Sequence, residues 1–447
     1  MMPSMIDSSN TGGYHAVPQR AAVGVPYAEE VSMKRSRITS HWCLKTSILF
    51  AALLFTDIRL GVAYEVWLTD QSDTGKESGG YLHIYDGAQL AANAASAKPA
   101  QTIDFSGDLG KFCEEATKKP VRRPHMLFFN AKQDHALISF LSGHVLFLDA
   151  ATKKADACLL MGKNVHAAWP TPNEKMALAA NIAEKKLIRI RTDYSAHKFS
   201  FDPDKDVLNL AVWEGGERPD TAPICPITDS TSTYGIVTLR GGGLLVVDIT
   251  TTPMKVVATL DNNEVHPAGC GGIEVGGAMY INSGGGWPIA PLSYDVYALD
   301  LTNLPKSVSV KLLSQRDTRF ADSHGMGAVG RYLWSVDRAG NNIEIIDTLS
   351  NLSVGSVDLV TNDNNDPAPD LMDVAPDGQY VFVGLRGPSP LTGNDKNVNN
   401  AKGTVPGVGV IHVDGGGKVG HYKGQASITN MKDGKETADT HGIAVRK

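Results

Sequence analysis

Two short phrases of the same chemistry occur far apart in the sequence, Asp-Ser-His-Gly at 322–325 and Asp-Thr-His-Gly at 439–442. Each comes just before a run of β-prone residues, as do three further histidines. Neutral imidazole is a common ligand of copper, zinc, iron and nickel. The sequence therefore predicts a transition-metal site, with copper as a candidate ion, whose ligands are His125, His166, His266, His324 and His441.

Other side chains that bind metals stand at comparable places before two more β-prone runs, Cys225 in one and Asp370 with Asp373 in the other. Thiolate and carboxylate belong to the usual set of metal ligands. We expect Asp370 or Asp373 to be a further ligand, or the proton acceptor of a catalysed reaction. Asp322 and Asp439, two residues before a histidine, are expected to hold that histidine's second ring nitrogen.

Two arginines are candidates for binding an anionic cofactor or substrate. Arg240 and Arg386 follow apolar runs, in TLRGGG and GLRGP, from which a guanidinium can reach a channel and pair with an anion. Hydrogen bonding between turns of the fold is the alternative role, for these arginines and for the histidines above. Five other histidines are expected to be surface or packing residues: His135, His144, His197, His412 and His421.

One repeated phrase shows which elements must position these residues. It is an apolar run that ends in Asp, and its copies lie 44 to 67 residues apart at Asp86, Asp149, Asp193, Asp248, Asp300, Asp347 and Asp414. Each copy follows another apolar run and a turn, as in ALISFLSGHVLFLD at 136–149, where Gly supplies the hairpin turn. The terminal Asp is expected to bond nearby backbone N–H groups. Seven such hairpins predict an all-β fold, a seven-bladed β-propeller.

The two ends of the chain predict how this ring closes. The first repeat, from Tyr64, has no apolar strand ahead of it, and the sequence ends on HGIAVRK at 441–447, a strand of the missing kind. We expect the C-terminal strand to pair with the N-terminal blade, which leaves no free sheet edge. Equivalent positions in the inner strands would then face one axis, and the histidines would surround one mouth of the central channel.

A resemblance supports this architecture. PDLMDVAPDGQYVFVGLRGP at 369–388 resembles the signature of YVTN-type seven-bladed β-propellers, in a superfamily that also holds quinoprotein amine dehydrogenase β-chain-like proteins. The resemblance covers residues 64–447 and implies the fold more than the function. Histidines at a propeller mouth are also similar in position to the copper sites of nitrous oxide reductases and copper-containing thiocyanate dehydrogenases. Those families carry additional histidines that this sequence lacks.

The N-terminal region has the layout of an export signal. Residues 1–32 show no periodicity and are expected to be disordered or an over-extended start. Residues 33–63 combine a basic region, a short apolar core and the small residues GVA, which predicts a signal peptide cleaved after Ala63 and a periplasmic or secreted protein. A retained anchor is the alternative.

Four cysteines follow the predicted signal peptide: Cys113, Cys158, Cys225 and Cys270. Export to an oxidising compartment favours disulfides, and four cysteines allow three pairings. Pairs 113–158 and 225–270 are favoured because each would join neighbouring repeats. A disulfide at Cys225 would remove it from any metal site.

The net charge and the absence of a nucleophile motif argue against two classes of function, nucleic-acid binding and serine hydrolysis. A net charge of −6 gives no basic surface for nucleic acid, and no G-x-S-x-G elbow is present. We expect an exported metalloprotein, an oxidoreductase that acts on a small molecule or exchanges electrons with a protein partner, with no membrane contact after signal cleavage. The alternative is a non-enzymatic propeller that binds a partner or ligand through its loops.

Overall fold

The computed structural model describes residues 63–72, 79–213, 215, 218–285, 292–316 and 321–447. These residues form seven antiparallel sheets that make up the blades of a β-propeller, as predicted. We number the blades 1 to 7 from the N-terminus and call the strand beside the axis the inner strand. The predicted disordered start and the signal segment, apart from Ala63, lie outside the described residues.

Blades 1 to 3 contain the following strands, from the inner strand outwards. Blade 1 has Thr440–Arg446, Glu65–Asp70, Tyr81–Asp86 and Gln101–Asp104. Blade 2 has Pro124–Phe129, His135–Phe140, His144–Asp149 and Ala155–Leu160. Blade 3 has Val165–Pro170, Met176–Asn181, Lys186–Asp193 and Lys198–Ser200, with Val207–Asn209 also paired to its third strand.

Blades 4 to 7 repeat the arrangement. Blade 4 has Pro223–Thr228, Tyr234–Leu239, Leu244–Asp248 and Lys255–Leu260. Blade 5 has Gly272–Val275, Ala278–Gly285, Leu292–Asp300 and Ser309–Arg316. Blade 6 has Ser323–Val329, Tyr332–Asp337, Asn342–Asp347 and Leu352–Asp358. Blade 7 has Pro369–Val374, Tyr380–Leu385, Gly407–Asp414 and Val419–Ser427.

The repeated Asp ends the third strand of every blade, as the sequence predicts. In blades 1 to 6 its side chain accepts from backbone N–H groups of the following turn. Asp149 Oδ1 accepts from Thr152 N at 2.6 Å, and Asp248 Oδ1 accepts from Thr250 N at 2.9 Å. The Asp thus ends the strand by giving the turn's amides a local partner.

The C-terminal strand closes the ring. Thr440–Arg446 pairs antiparallel with Glu65–Asp70, with Trp67 opposite Ala444. Arg446 also forms an ion pair with Glu65 at 3.1 Å across this junction. The predicted closure is therefore confirmed, and blade 1 combines strands from both ends of the propeller.

Aromatic side chains fill the space between neighbouring blades. Trp67 of blade 1 packs edge-on against Phe129 of blade 2, with ring centroids 5.0 Å apart. Phe147 of blade 2 stacks on Phe199 of blade 3 at 4.0 Å. Because both faces of most strands are covered by other blades, the middle strands are apolar along nearly their whole length.

The described residues outside the blades are mostly loops and short helices. The helices are Gly87–Ala92 and Asp108–Thr117, with 3₁₀ turns at Ala94–Ser96, Leu210–Val212 and Gly415–Gly417. A small hairpin pairs Met431–Lys432 with Lys435–Glu436. Within the described part of the chain, no helix has the length and hydrophobicity needed to cross a membrane.

One of the two favoured disulfides is present. Cys113, in the second helix, is bonded to Cys158 in the outer strand of blade 2. Cys225 and Cys270 are buried thiols that lie against each other, as described below.

Candidate metal centre on the propeller axis

A β-bulge at the start of the inner strand sets the position of the key side chains. In blade 2, Pro124 pairs with Phe140 and Leu127 pairs with Ile138, so His125 and Met126 together face one residue of the second strand. Blades 1, 3, 4, 6 and 7 show a register shift at the corresponding place. A bulge turns a side chain out of the ordinary alternation of a strand, and bulges are common beside functional sites.

The first residue of each bulge defines what we call the ring position. Blade 5 lacks the shift, but Gly271 N donates to Asn282 Oδ1 there, as Met126 N donates to Ser139 Oγ in blade 2. Cys270 therefore takes the ring position in blade 5. From blade 1 to blade 7, the ring residues are His441, His125, His166, Ile224, Cys270, His324 and Asp370.

This register corrects the sequence alignment in two blades. In blade 4 the ring residue is Ile224, and Cys225 follows it. In blade 5 the ring residue is Cys270, whereas His266 lies ahead of it, with its Nδ1 2.9 Å from Asp295 Oδ2. The inner strand of blade 5 begins at Gly272, after the ring residue, whereas that of blade 2 begins before it. The position of His266 relative to the strand was therefore misleading.

Polar side chains opposite four ring positions tie each blade to the next. Thr69 Oγ1 donates to His125 O at 2.8 Å, and Ser139 Oγ donates to His166 O at 2.8 Å. Asn282 Nδ2 donates to His324 O at 2.6 Å. Thr238 Oγ1 makes a similar bond to Gly269 O at 2.5 Å. The backbone of the ring is therefore held by the neighbouring blades.

The ring surrounds a cavity of about 440 Å³ on the axis. Four of the five predicted histidines line it, namely His125, His166, His324 and His441, together with Cys270. The loop between the second and third strands of blade 7 also lines it, and we call its cavity-lining residues Thr392–Asp395 and Asn400 the roof. Asn400 Nδ2 donates to Asp322 Oδ2 at 2.6 Å, which anchors the roof to blade 6.

The four histidines form a continuous arc. The ring centroids of His441 and His125 are 3.8 Å apart, those of His125 and His166 are 4.4 Å apart, and those of His324 and His441 are 5.8 Å apart. Burial, reinforced by the neighbouring imidazoles, holds the pKa of His125 well below its ordinary value. Burial likewise lowers the pKa of His441. These two imidazoles are therefore neutral near pH 7, which is the form that binds metals.

Three ring nitrogens of this arc have unused hydrogen-bonding capacity. His125 Nδ1 lies 3.0 Å from Gln71 Oε1, which fixes the orientation of the ring. His125 Nε2, His324 Nε2 and His441 Nδ1 are buried and have no hydrogen-bond partner among the described residues, although His324 Nε2 lies 2.9 Å from Asp370 Oδ1. Buried polar atoms normally find a partner, so these nitrogens fit a bound ion or ligand.

Three sulfur atoms lie close together beside His166, at one end of the arc of histidines. Cys225 Sγ and Cys270 Sγ are 2.6 Å apart, and both lie 4.0 Å from Met126 Sδ. His166 Nδ1 is 3.8 Å from Cys225 Sγ. The hydrogen bond between the thiols and the nearby His166 lower the pKa of Cys270, while burial raises the pKa of Cys225. Two sulfurs this close cannot both carry a negative charge in the absence of a bound cation.

Asp370 is the charge centre at the other end of the arc. Its fully buried carboxylate lies 2.9 Å from His324 Nε2 and 3.6 Å from His441 Nε2. It also accepts from Arg386 Nη1 at 2.6 Å and lies 3.4 Å from Arg338 Nη1. These positive neighbours hold the pKa of Asp370 well below its ordinary value although burial opposes them. Asp370 is therefore ionised and orients two of the arc's imidazoles.

The remaining predicted residues have other surroundings. Asp373 accepts from Val445 N at 2.7 Å and so fastens blade 7 to the C-terminal strand; burial raises its pKa to about 6. Arg240 borders the cavity, with its Nε 2.5 Å from Asp220 Oδ2. Arg386 is fully buried between Asp370 and Asp439. The structure thus brings Asp370 to the histidines and leaves Asp373 at a blade junction.

The two Asp-x-His-Gly phrases have matching roles in blades 6 and 1. Asp322 accepts from Arg338 Nε at 2.8 Å, and Asp439 accepts from Arg386 Nε at 2.6 Å, so these acids bind arginines rather than the adjacent histidines. A Cβ on Gly325 would lie 2.5 Å from Asp370 O in the neighbouring inner strand. The glycine therefore permits the close approach of adjacent inner strands.

Two members of the site were missed by the sequence interpretation. Cys270 was assigned only to a disulfide, although its residue type was a signal for metal binding. Met126 carries no signal in the sequence, because a methionine beside a strand start is usually a packing residue. The donors that converge here are thiols, a thioether and imidazoles, which fit copper or zinc better than calcium or magnesium.

Comparisons with known proteins bear on the fold. The chain is similar to a structure from Bacteroides fragilis described as a candidate 6-phosphogluconolactonase, with 14% identity, a TM-score of 0.54, and coverage of 86% of this chain and 98% of that chain. Hydrazine synthase of Kuenenia stuttgartiensis gives a TM-score of 0.47 at 14% identity, covering 65% of this chain and 77% of that one. The dihydro-heme d1 dehydrogenase NirN gives 0.46 at 12%, covering 85% and 74%.

Searches against protein-family models and curated proteins found no match. At 14% identity, the similarity to the Bacteroides fragilis structure shows a shared fold only. The chain is a seven-bladed β-propeller with groups of potential metal ligands on its axis.

Proposed function

We propose that this protein is a metalloprotein that binds a transition metal ion, with copper as the preferred candidate, in its axial cavity. One observation carries the proposal. Ligand atoms of His166, Cys225 and Cys270 all lie within 4.8 Å of one another, and the sulfur of Met126 adjoins both thiols. These four residues come from four successive blades, 2 to 5, so their convergence depends on the whole arrangement of the ring.

The donor chemistry supports copper. Thiolate and thioether ligands select soft ions such as Cu(I), and imidazole suits copper and zinc. A bound copper ion would supply one-electron redox chemistry to this cavity. The chain itself would supply His166, Cys225 and Cys270 as ligands, with Met126 as a weaker fourth donor.

The opposite side of the cavity would serve a small substrate. His324, Asp370 and His441 form a second group of potential ligands, and its two histidines line the same cavity. Neutral His441 and His125 each offer an unpartnered nitrogen that can accept a hydrogen bond from a molecule bound beside them. Ionised Asp370, 2.9 Å from His324 Nε2, would favour positive charge on this side of the cavity, and the roof would limit access of water. On this basis we propose an oxidoreductase whose electrons pass to a small molecule or a protein partner.

Export to a periplasmic or extracellular compartment is part of the proposal. The disulfide between Cys113 and Cys158 is the type of bond that persists in oxidising compartments. The predicted signal peptide at 33–63 also favours export.

The test is copper analysis of protein purified after expression with copper. We expect about one tightly held ion per chain, lost or bound at least tenfold more weakly when His166→Ala is combined with Cys225→Ser. His412→Ala, in the outer part of blade 7, is the matched control and should retain the ion. Equal metal content in the double variant and the control, with both folded by circular dichroism, would reject the axial centre.

A second candidate function is metal binding without turnover. It is favoured by the burial of the sulfur donors, since Met126, Cys225 and Cys270 are each at most 2% exposed. A metal site that is closed by protein ligands is typical of structural or carrier proteins, whereas catalytic sites keep an open position. Reversible oxidation and reduction of the copper-loaded protein, with turnover of a reductant, would favour the oxidoreductase. A preference for zinc with no redox response would favour the carrier.

A further inference from the structure

A third group of potential metal ligands lies outside the axial cavity, at the outer part of blades 2 and 3. His135 begins the second strand of blade 2, and Asp156 lies in that blade's outer strand. His197 lies in the turn between Lys186–Asp193 and Lys198–Ser200 of blade 3. The group therefore bridges two blades, and it is independent of the ring position.

The distances within this group suit a single small cation. Asp156 Oδ2 is 3.0 Å from His135 Nε2, and Asp156 Oδ1 is 3.0 Å from His197 Nδ1. One ligand atom from each residue lies within 4.8 Å of the other two. Zinc–ligand bonds of about 2.0–2.1 Å place tetrahedral ligands roughly 3.3 Å apart. The two carboxylate–imidazole distances are therefore within a few tenths of an ångström of those expected around a bound zinc ion.

Two atoms at the centre of this group, His135 Nε2 and Asp156 Oδ2, are available to bind a metal ion. His135 is 4% exposed, and its Nε2 has no hydrogen-bond partner in the described structure despite its closeness to Asp156. Asp156 Oδ2 is also buried and without a hydrogen-bond partner among those residues. The two atoms are near each other but are not aligned for a hydrogen bond. A metal ion between them would satisfy both.

The neighbouring side chains hold the His135 ring in an orientation that is typical of a metal-binding histidine. Its other nitrogen, Nδ1, lies 2.7 Å from Asp134 Oδ1, the arrangement in which a carboxylate fixes the tautomer of a metal-binding histidine. The ring also packs near Tyr194 and Phe199, with centroids 5.0 Å and 6.2 Å away. His197 is 55% exposed on the other side, so one coordination position would face solvent.

We propose that His135, Asp156 and His197 form a second metal site, which binds a zinc-like divalent cation through two imidazoles and a carboxylate. The mixed nitrogen and oxygen donors suit zinc rather than the softer Cu(I). The ion would join blade 2 to blade 3, and water or an external ligand would fill the position beside His197.

The experiment is a zinc titration of the purified protein in competition with a chromophoric chelator, comparing wild type with His197→Ala. His197 is half exposed, so its replacement should leave the fold intact. We expect the variant to lose one zinc equivalent or to bind it at least tenfold more weakly. His421→Ala is the control, because His421, Asp414 and His412 form a comparable but much more exposed group in blade 7.

Two results would overturn the proposal. One is an equal number and affinity of zinc ions in wild type, His197→Ala and His421→Ala. The other is a loss of melting temperature in His197→Ala that is the same with excess chelator as with zinc, which would show an ordinary ion pair. The double variant of His166 and Cys225 separates the two sites, because it should keep this zinc equivalent whether or not the axial centre exists.

Discussion

Asp370 is a buried counter-charge for two arginines, since Arg386 and Arg338 converge on its carboxylate and two histidines lie beside it. Its side chain and that of Arg386 are completely buried. A buried pair of this kind adds little net stability when intact, but the removal of one partner leaves an uncompensated charge. Asp370 is therefore essential to the fold and to the orientation of the arc.

Replacement of Asp370 by Asn should destabilise the protein by about 3–5 kcal/mol, because Arg386 and Arg338 would lose a buried counter-charge. Urea unfolding monitored by tryptophan fluorescence measures the change. Asp433→Asn, on an exposed turn, is the control and should have almost no effect. A loss below 1 kcal/mol at Asp370 would mean that Asp439 alone neutralises the arginines.

His144 should make stability depend on pH. It is fully buried between Thr117 and Ser142, and burial lowers its pKa to about 4. Above pH 6.5 it is neutral in both states; below that pH the unfolded chain binds a proton that the folded chain excludes. Stability should therefore fall as pH drops from 6.5 towards 4, by about 2 kcal/mol at pH 5 from this group.

Urea midpoints at pH 7 and pH 5 test this dependence. His144→Asn should reduce the loss between the two pH values, and the exposed His421→Asn should not. Part of the loss should remain in the first variant, because burial also lowers the pKa of His125 and His441. An unchanged loss in His144→Asn would show that His144 is already protonated in the folded protein.

At the scale of single residues, the sequence was sufficient to predict four residues around the cavity but not the residues at the ring position in blades 4 and 5. Residue type and position before a strand correctly indicated His125, His166, His324 and His441 as neighbours of one cavity. Adjacency to a strand cannot reveal a bulge, which adds a residue without a change in composition. For that reason the sequence pattern indicated Cys225 where the structure has Ile224. In blade 5 the pattern indicated His266 instead of Cys270 because the inner strand begins late, at Gly272.

At the scale of elements, the hairpins were predictable because their signals are local. A turn with Gly and a terminal Asp that bonds the next amides depend only on residues close in sequence, and all seven hairpins were found. The roof was not predictable, because it depends on contacts between distant blades. Arg338 Nη2 donates to Gly393 O at 3.1 Å, and Asn400 Nδ2 donates to Asp322.

Loosening the roof should speed exchange of whatever occupies the cavity. Asn400→Ala removes the bonds from Asn400 Nδ2 to Asp322 and to Gly393 O. We expect the metal-loaded variant to lose its ion to excess chelator several-fold faster than wild type, with little change in the ligands themselves. Stopped-flow measurement of release gives the rate. Asn397→Ala, which removes an exposed side-chain bond to Asp395, should leave it unchanged; equal rates in all three proteins would exclude the roof as a barrier.

At the scale of the whole molecule, stability depends on closure of the ring. The C-terminal strand buries Ile443, Ala444 and Val445 and covers the edge of Glu65–Asp70. Each large apolar side chain so buried contributes roughly 1.5–3 kcal/mol, and an uncovered strand edge promotes association between chains. The closure was predictable from the missing strand in the first repeat.

Removal of residues 440–447 should therefore abolish the folded monomer. Size-exclusion chromatography and far-UV circular dichroism should show aggregated or partly unfolded protein. Lys447→Ala, which keeps the whole strand, should behave as wild type. A monomeric truncated protein with an unchanged melting temperature would show that six complete blades and an open seventh are stable without closure.

Because every blade contributes one side chain at the same register, a substitution at one ring position changes the chemistry of the cavity in one blade only. Ile224 is the single aliphatic member of the set and lines the cavity. Unlike Asp370, it holds no buried charge, so an imidazole or carboxylate at this position would add a potential metal ligand without removing a counter-charge from an arginine. A propeller of this kind can thus acquire a preference for a different metal ion through substitutions at a few ring positions.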